Sequence, residues 1–494
     1  MSEPDPRTWQ KPKRFDNNLI VIGAGAGGLV TAYIAAAVKA KVTLVEKHKM
    51  GGDCLNTGCV PSKALIRTAK LLAQINRSAD FGINQAHAVV DFAEVMARVH
   101  SVVKTVAPHD SIERYSALGV QVLIGTAKIV SPWHVAVTTD TGVQTLSTRA
   151  IVIATGAQPF VPPLPGLAEV GFLTSDTVWA LRTPPKRLLV LGGGPIGCEL
   201  AQAFSRLGIA VTQVEMQPRL MMREDSDVSA WVARQFSNEG IRVLTAHKAL
   251  AVQVEQGEKV LIAEHDGKQV RIAFDEILVA LGRVANIAGY GAEEMGIALS
   301  AHKTIAVDAF QQTNYPTIFA CGDVAGPYQF THTAAHQAWY AAVNALFGGV
   351  KKFKTDYSVI PWATFTDPEV ARVGLNEQEA KAQGIAYELS YFGFDELDRA
   401  IADSATQGFV KVLTVPHKDK ILGVTIVGEH AGDLLAEFVL AMKYGLGLNK
   451  VLGTIHIYPT MAEANKYVAG VWKRQHPPTR LLAWVQRYHA WRRG

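Results

Sequence analysis

One pattern of apolar and glycine-rich segments occurs twice along the chain. Leu19-Ile20-Val21-Ile22 is an unbroken apolar run, followed by Gly23-Ala24-Gly25-Ala26-Gly27-Gly28 and a helix-forming stretch from Leu29 to Lys39. A second run, Lys41-Val42-Thr43-Leu44-Val45, stops at Glu46. The second copy opens with Arg187-Leu188-Leu189-Val190-Leu191 and continues through Gly192-Gly193-Gly194-Pro195-Ile196-Gly197 into a helix from Cys198. It closes with Ile209 to Val214 and Glu215. Short runs with no polar face read as strands of a parallel sheet covered on both sides. Each copy therefore predicts strand, turn, helix and strand. From Ala69 to about Ala117 apolar residues recur at three and four (Phe92, Val95, Met96, Val99, Val102, Val103, Val106), which predicts helix. Residues 120–124, 134–137 and 150–154 read as strands, and Pro159, Pro162, Pro163 and Pro165 mark a boundary after them. Later runs at 317–320, 409–413 and 421–427 are again strand-like, and Leu434 to Tyr444 is helical. The expected fold class is α/β, with two Rossmann-like nucleotide-binding domains and a C-terminal α+β domain.

The two repeats carry a dinucleotide fingerprint in its proper setting. Gly23 and Gly192 would make the tight turn, and Gly25 and Gly194 would let a pyrophosphate approach the backbone. Gly28 and Gly197 would let the helix pack closely. Glu46 and Glu215 end the second strands, where an acid accepts hydrogen bonds from a ribose. Glu215 favours the free 2′-hydroxyl of NADH, while Arg219 and Arg223 nearby leave NADPH open.

Between the repeats lies Gly51-Gly52-Asp53-Cys54-Leu55-Asn56-Thr57-Gly58-Cys59-Val60-Pro61-Ser62-Lys63. Residues five apart in a straight helix are too distant for a disulfide, which needs Cα atoms within about 4.4–6.8 Å. The glycines supply a backbone that bends, and Pro61 is tolerated only in a first helical turn, so a helix is expected to start near Val60. Cys59 then stands at a helix N-terminus, where backbone N–H groups and the macrodipole favour a thiolate. The pair reads as a two-electron redox device; the other readings are unpaired loop cysteines or half of a zinc site. No second cysteine pair completes a zinc tetrahedron, and no metal ligand set is identified.

The chain has 494 residues, 48% hydrophobic and 19% charged, and four cysteines, which excludes a disordered chain or a secreted disulfide scaffold. The first residues contain no apolar signal-peptide core, and no apolar run is long enough to span a membrane. A cytoplasmic protein is expected, in a compartment where a disulfide is catalytic rather than structural. The net charge of +5 comes from the end of the chain: residues 472–494 hold six basic residues and no acid.

In combination, the segment Gly51 to Lys63, both fingerprints and Ala320-Cys321-Gly322-Asp323 resemble the pyridine nucleotide–disulfide oxidoreductases, over about residues 17–471. That family includes dihydrolipoamide dehydrogenase, glutathione reductase and mercuric reductase. The resemblance implies FAD at the first fingerprint and NAD(P)H at the second, NADH being favoured. It assigns Cys54 as the thiol that meets the acceptor and Cys59 as the thiol beside the flavin. Lys63 and Glu199 match a pair near the flavin N5; Asp323 matches the acid that binds the ribitol, and Thr331 and His332 fall near the isoalloxazine. Gly52, Thr155, Gly156, Gly282 and Arg283 complete the expected cofactor-binding set. Taken singly, Lys63 reads equally as a solvated lysine, Glu199 as a helix-face glutamate and Asp323 as a capping residue. The implied segments are an arm 1–16, an FAD-binding domain in parts 17–156 and 285–355, an NAD(P)-binding domain 157–284, a dimerisation domain 356–471 and a basic tail 472–494. A homodimer is implied, with the C-terminal domain completing the partner's site. Pro195 departs from the pattern, standing where many relatives carry a gating tyrosine, and Cys198 and Cys321 read as small buried residues.

A second departure is Tyr458, in Ile455-His456-Ile457-Tyr458-Pro459-Thr460-Met461-Ala462-Glu463. Thiol–disulfide relatives carry a histidine base there, paired with the glutamate matching Glu463. A phenol, with a pKa near ~10, is a far poorer base at neutral pH. Mercuric reductases are similar in carrying tyrosine, but they end in a vicinal cysteine pair, whereas the last cysteine here is Cys321. His456 would share a strand face with Tyr458 and is an alternative base; it reads equally as a hydrogen-bonded structural histidine. The expected function is an FAD-dependent NAD(P)H oxidoreductase acting through Cys54 and Cys59 on a small-molecule or protein disulfide, a metal ion or a quinone. Dihydrolipoamide dehydrogenase and a docked redox sensor are the rivals. In the tail, Thr479 is placed to cap a helix whose Leu481, Trp484, Val485, Tyr488 and Trp491 share one face. That face predicts docking to an anionic membrane surface (the inner membrane face), a partner groove or the protein's own dimer, and the confined charge argues against nucleic acid.

Overall fold

The computed structural model describes residues 9–494; the first eight residues of the expected arm lie outside the described residues. Its described part is tied down: Trp9 meets Tyr315 edge-on at 6.0 Å, and Asp16 accepts from the Ser147 N–H at 2.9 Å. The chain forms two compact units, the first built from residues up to 356 and the second from 357–494, with 74–87 and 217–239 assigned to the second.

In the first unit, β1 (Asn17–Ile22), α1 (Ala26–Ala37) and β2 (Val42–Glu46) form the first predicted repeat. Two helices follow, α2 (Gly52–Asn56) and α3 (Cys59–Asn76). The predicted helical stretch to Ala117 is interrupted: residues 84–91 are irregular, and α4 (Phe92–Val106) starts anew where the Asp91 side chain accepts the Glu94 N–H. Then come β3 (Val120–Ile124), β4 (Thr126–Ser131), β5 (His134–Thr139) and β6 (Gly142–Ile153). The second repeat comprises β7 (Leu173–Thr174), β8 (Arg187–Leu191), α5 (Pro195–Arg206), β9 (Ala210–Val214), β10 (Arg242–Leu244) and β11 (Glu276–Val279). The chain returns to the first sheet as β12 (Ile318–Ala320), followed by α6 (Thr331–Phe347).

The first sheet runs β3-β2-β1-β6-β5-β4, with β12 added parallel to β6. Its β3-β2-β1-β6 part is parallel, and β4, β5 and β6 are antiparallel. The second sheet is parallel throughout, in the order β10-β9-β8-β11-β7. Leu19, Ile20 and Val21 are fully buried because layers cover both faces of β1. In each repeat the first strand is internal, so its glycine turn stands at the carboxyl end of the sheet, where open α/β sheets bind ligands.

The second unit is built on the antiparallel sheet β13 (Pro361–Thr364), β14 (Glu369–Gly374), β15 (Glu388–Gly393), β16 (Phe409–Thr414) and β17 (Ile421–Gly428), in the order β13-β14-β17-β16-β15. Helices α7 (Ala431–Lys443) and α8 (Glu463–Gln475) bury Leu435, Phe438, Val468 and Trp472 in one core with Val410, Val412 and Ile426. Trp472, the expected first residue of the tail, thus belongs to the folded core. Only α9 (Thr479–Arg493) stands outside it, with no buried residue. Thr479 is its first helical residue, so Pro478 occupies the capping position and no side chain caps the end. Among the described residues no helix is long and apolar enough to cross a membrane.

Candidate active site

The first fingerprint turns at Gly23, whose φ of +100° only glycine adopts freely; a Cβ there would lie 2.4 Å from the Ala154 carbonyl oxygen. A Cβ on Gly28 would overlap the Gly23 carbonyl and one on Gly197 the Gly192 carbonyl, so the third glycine of each repeat lets the helix close back on its own turn. Gly25 and Gly194 have ordinary extended backbones at the N-termini of α1 and α5. A Cβ would have no neighbour within 4 Å at Gly194 and only Gly52 Cα, at 3.8 Å, at Gly25. Backbone strain and packing require glycine at neither position, and both are open cradles at helix N-termini, the place for a pyrophosphate. The acids close the two turns alike: Glu46 accepts the Ala24 N–H at 2.7 Å, and Glu215 the Gly193 N–H at 2.6 Å. A carboxylate has further lone pairs for a ribose hydroxyl. Both sites fit a dinucleotide.

The dithiol segment lies against the first turn. Gly51 donates its N–H to Ala24 O, and a Cβ on Gly52 would stand 2.6 Å from Gly25 Cα, so any larger residue would lift the segment away. Asn56 Nδ2 donates to the carbonyls of Met50 and Gly52, and the chain breaks between α2 and α3 where Gly58 N–H returns to Asp53 O at 2.6 Å. Helix α3 then begins at Cys59 itself. Trp179 buttresses the bend by donating its indole N–H to Thr57 O at 2.7 Å.

Cys54 and Cys59 share a hydrogen bond that splits them electrostatically. Cys54, as donor, is held far above the ordinary thiol range, mainly by that bond and then by burial. Cys59, as acceptor, is lowered to about 6, chiefly by the Cys54 thiol, then by the Thr331 hydroxyl and the Lys63 ammonium, against the opposing effect of burial. Thr331 Oγ1 lies 3.4 Å from Cys59 Sγ. The pair therefore carries one proton at neutral pH, on Cys54. Lys63, on α3, pairs with the buried Glu199 of α5 at 2.8 Å. Arg283 bridges Asp53 and Asp323, the latter at 3.7 Å, and Asp323 is pushed up to about 6 by burial, against Arg283. Thr155 donates to Asn286 O while Asn286 Nδ2 returns to Thr155 O, which fixes Thr155 and Gly156 at the end of β6. Gly282 is left-handed, with open space at its Cβ position. His332, in the first turn of α6, stacks on Phe330 at 5.3 Å. Cys198 and Cys321 are fully buried, and burial pushes both thiols up to about 12.

The second unit holds the remaining predicted residues, in an arrangement that differs from expectation. Residues 453–459 form a loop, so His456 and Tyr458 share no strand face. The His456 side chain is tucked in, with Nδ1 3.0 Å from Thr454 O and Nε2 3.0 Å from Glu437 Oε1. Both ring nitrogens are therefore engaged within the second unit. Tyr458 is exposed and donates its hydroxyl to Asp398 Oδ2 at 3.1 Å, which holds the phenol above its ordinary pKa. The buried Glu463 at the start of α8 accepts instead from the Thr460 N–H and the Tyr467 hydroxyl. Arg219 is engaged by Glu224 O and Ser229 Oγ. Sequence reasoning missed the contacts Thr331–Cys59, Arg283–Asp53 and Tyr458–Asp398. Each joins residues remote in the chain that no local pattern links.

A family model described as pyridine nucleotide-disulphide oxidoreductase matches residues 17–338, and that family's dimerisation domain matches residues 360–469. The chain is 36% identical over 447 residues to a dihydrolipoyl dehydrogenase of Chlamydia pneumoniae, covering 90% of this chain and 94% of that protein. It is 34% identical over 456 residues to a mercuric reductase of Streptomyces lividans, covering 92% and 95%. Two solved structures are similar. LpdA from Mycobacterium tuberculosis gives a TM-score of 0.84 at 25% identity, over 92% of this chain and 100% of that one. The HOCl-induced flavoprotein disulfide reductase RclA from Escherichia coli gives 0.82 at 26%, over 92% and 100%.

Proposed function

The chain belongs to the pyridine nucleotide-disulphide oxidoreductases, enzymes that use FAD and NAD(P)H, and on that premise we propose that Cys54 and Cys59 pass electron pairs from NADH to an acceptor that needs no imidazole base, a thiophilic metal ion taken directly at Cys54 without the C-terminal cysteine pair that mercuric reductases carry. The observation that carries this reading is Tyr458, whose hydroxyl is a donor to Asp398 and whose raised pKa removes it as a base at neutral pH. Reduction of a disulfide acceptor requires the Cys54 proton to leave before that sulfur attacks. A metal ion instead displaces the proton on binding the sulfur.

Gly25 and Gly194 with their helix N-termini would hold the two pyrophosphates, Glu46 and Glu215 the riboses, and Asp323 the ribityl chain. Bound FAD supplies the two-electron carrier between nicotinamide and dithiol. Thr331 and Lys63 hold Cys59 as thiolate, and Glu199 fixes Lys63. In the oxidative half, Cys54 loses its proton, two electrons leave for the acceptor and the S–S bond forms. Glu215, with Arg219 engaged elsewhere, supports NADH over NADPH.

The test reduces the enzyme anaerobically with NADH and offers lipoamide, Cu2+ and Hg2+ in parallel. Reoxidation by a metal ion at least about 10²-fold faster than by lipoamide supports the reading, since a general base is worth about 10²–10⁴ in rate. Equal or faster reoxidation by lipoamide makes the protein a dihydrolipoamide dehydrogenase.

The basic helix α9 supports a second element, docking at an anionic lipid surface: Leu481, Trp484 and Trp491 are exposed on a segment with no acid. Flotation with anionic vesicles, lost on truncation after Pro478, is the expected result; flotation that survives truncation removes it.

A further inference from the structure

We propose that Glu388, His417 and His476 form a binding site for a divalent transition metal of the zinc or copper type, sharing no residue with the dithiol. Glu388 opens β15, opposite Thr414 at the end of β16. The turn beyond Thr414 carries His417, with a left-handed backbone (φ 59°), and His476 follows the last turn of α8. The fold thus brings two imidazoles to the two oxygens of one carboxylate. His417 Nδ1 lies 3.3 Å from Glu388 Oε1, and His476 Nε2 lies 2.8 Å from Oε2. One ligating atom from each residue lies within 4.8 Å of the others. Ligands bonded to zinc at about 2.0–2.2 Å in a tetrahedron stand about 3.3 Å apart, and each imidazole already lies near that distance from one of the two carboxylate oxygens. His417 is exposed on its turn, so its ring is free to rotate toward a position shared with His476 and the carboxylate.

Two further observations point to a cation. Glu388 Oε2 is buried and has no hydrogen-bond partner among the described residues, although His476 approaches it so closely; the contact is not aligned as an N–H···O bond. A buried carboxylate oxygen without a donor is uncommon, and a shared metal ion satisfies it. In addition, His476 Nδ1 lies 2.9 Å from Trp472 O, and its ring stacks on Trp472 at 4.5 Å. A backbone acceptor at one ring nitrogen places the proton there and turns the other nitrogen's lone pair outward, the outer-shell arrangement of ligating histidines. Two imidazoles and a carboxylate suit zinc, copper or nickel and not calcium or magnesium. Three protein ligands leave one position open for water. A bound metal would pin the end of α8 to the sheet, next to Pro477-Pro478 where the chain turns into α9.

The test uses tag-free holoenzyme with the Cys54–Cys59 disulfide oxidised, so that the dithiol does not compete. Calorimetric titration with Zn2+ is expected to give one ion per chain. The Cu2+ form is expected to show an electron paramagnetic resonance spectrum coupled to two imidazole nitrogens. His417→Ala, on an exposed turn, should weaken Zn2+ binding at least about tenfold and leave one coupled nitrogen, with NADH-driven turnover and melting temperature unchanged. His476→Ala should do the same to the other nitrogen. Absence of saturable Zn2+ binding, or undiminished binding in His417→Ala, overturns the proposal.

Discussion

Replacing Thr331 by Val removes the hydroxyl that lies 3.4 Å from Cys59 Sγ while keeping the side chain's shape. Cys59 is lowered to about 6, and the Thr331 hydroxyl is one of three groups responsible, after the Cys54 thiol and ahead of the Lys63 charge. A hydrogen bond to a charged acceptor is worth about 1.5–3 kcal/mol, and at this long O–S distance the low end applies, which corresponds to about one pH unit. The sign follows from the direction of the shift. A thiol whose pKa is lowered in the protein is thiolate above that value and loses the charge as pH falls through it, so the wild-type transition lies near pH 6. In Thr331→Val it is expected near pH 7, which takes the thiolate fraction at pH 7 from about nine-tenths to about one-half. Thiolate absorbance near ~240 nm of the anaerobically reduced protein, titrated against the same protein carrying Cys59→Ser, reads the midpoint directly. A midpoint within about 0.3 units of wild type would refute the role given to Thr331. The comparison is made on variant protein that retains its flavin, since losing the group beside Cys59 would itself move the midpoint.

Tyr458→His is expected to raise lipoamide reduction at least about tenfold, leaving metal-ion reduction within about twofold, in steady-state assays. Lys411→Met should lower the melting temperature by more than about 5 °C, because the buried ammonium is shared by Asp225, Asp227 and Glu377, and removing it strands buried carboxylate charge. Gly52→Ala places a Cβ 2.6 Å from Gly25 Cα and should cut NADH-driven turnover at least about tenfold and loosen flavin retention, read by released fluorescence.

The fold was legible where a residue's chemistry leaves no alternative. Gly23, with its φ of +100° and the Ala154 carbonyl 2.4 Å from any Cβ, is such a position, and so is Cys59, at the start of a helix that Pro61 permits only in its first turn. Both repeats, their acids and the start of α3 followed from local pattern. Periodicity misled where it was continued through residues 84–91, since apolar spacing does not register the break that Asp91 enforces by capping α4. Trp472 read as tail because its neighbours Lys473 and Arg474 are basic, yet its own ring completes the core of the second unit. His456 was a candidate base from its residue type and an assumed strand face shared with Tyr458; its contact with Glu437, on α7, is made only by the fold. Asp398 likewise reaches Tyr458 only through folding. Chemistry shared between remote segments is what a single sequence conceals.

In the proposed mechanism Cys54 and Cys59 hold the electron pair, and this is tested directly. Oxidised enzyme is given one equivalent of NADH without oxygen, quenched with an alkylating agent and mapped by mass spectrometry, with and without subsequent addition of acceptor. Both cysteines are expected to become alkylated after NADH, Cys198 and Cys321 to stay unmodified, and acceptor to restore the Cys54–Cys59 disulfide. A pair that remains disulfide-bonded after NADH while the acceptor is still reduced would contradict the mechanism.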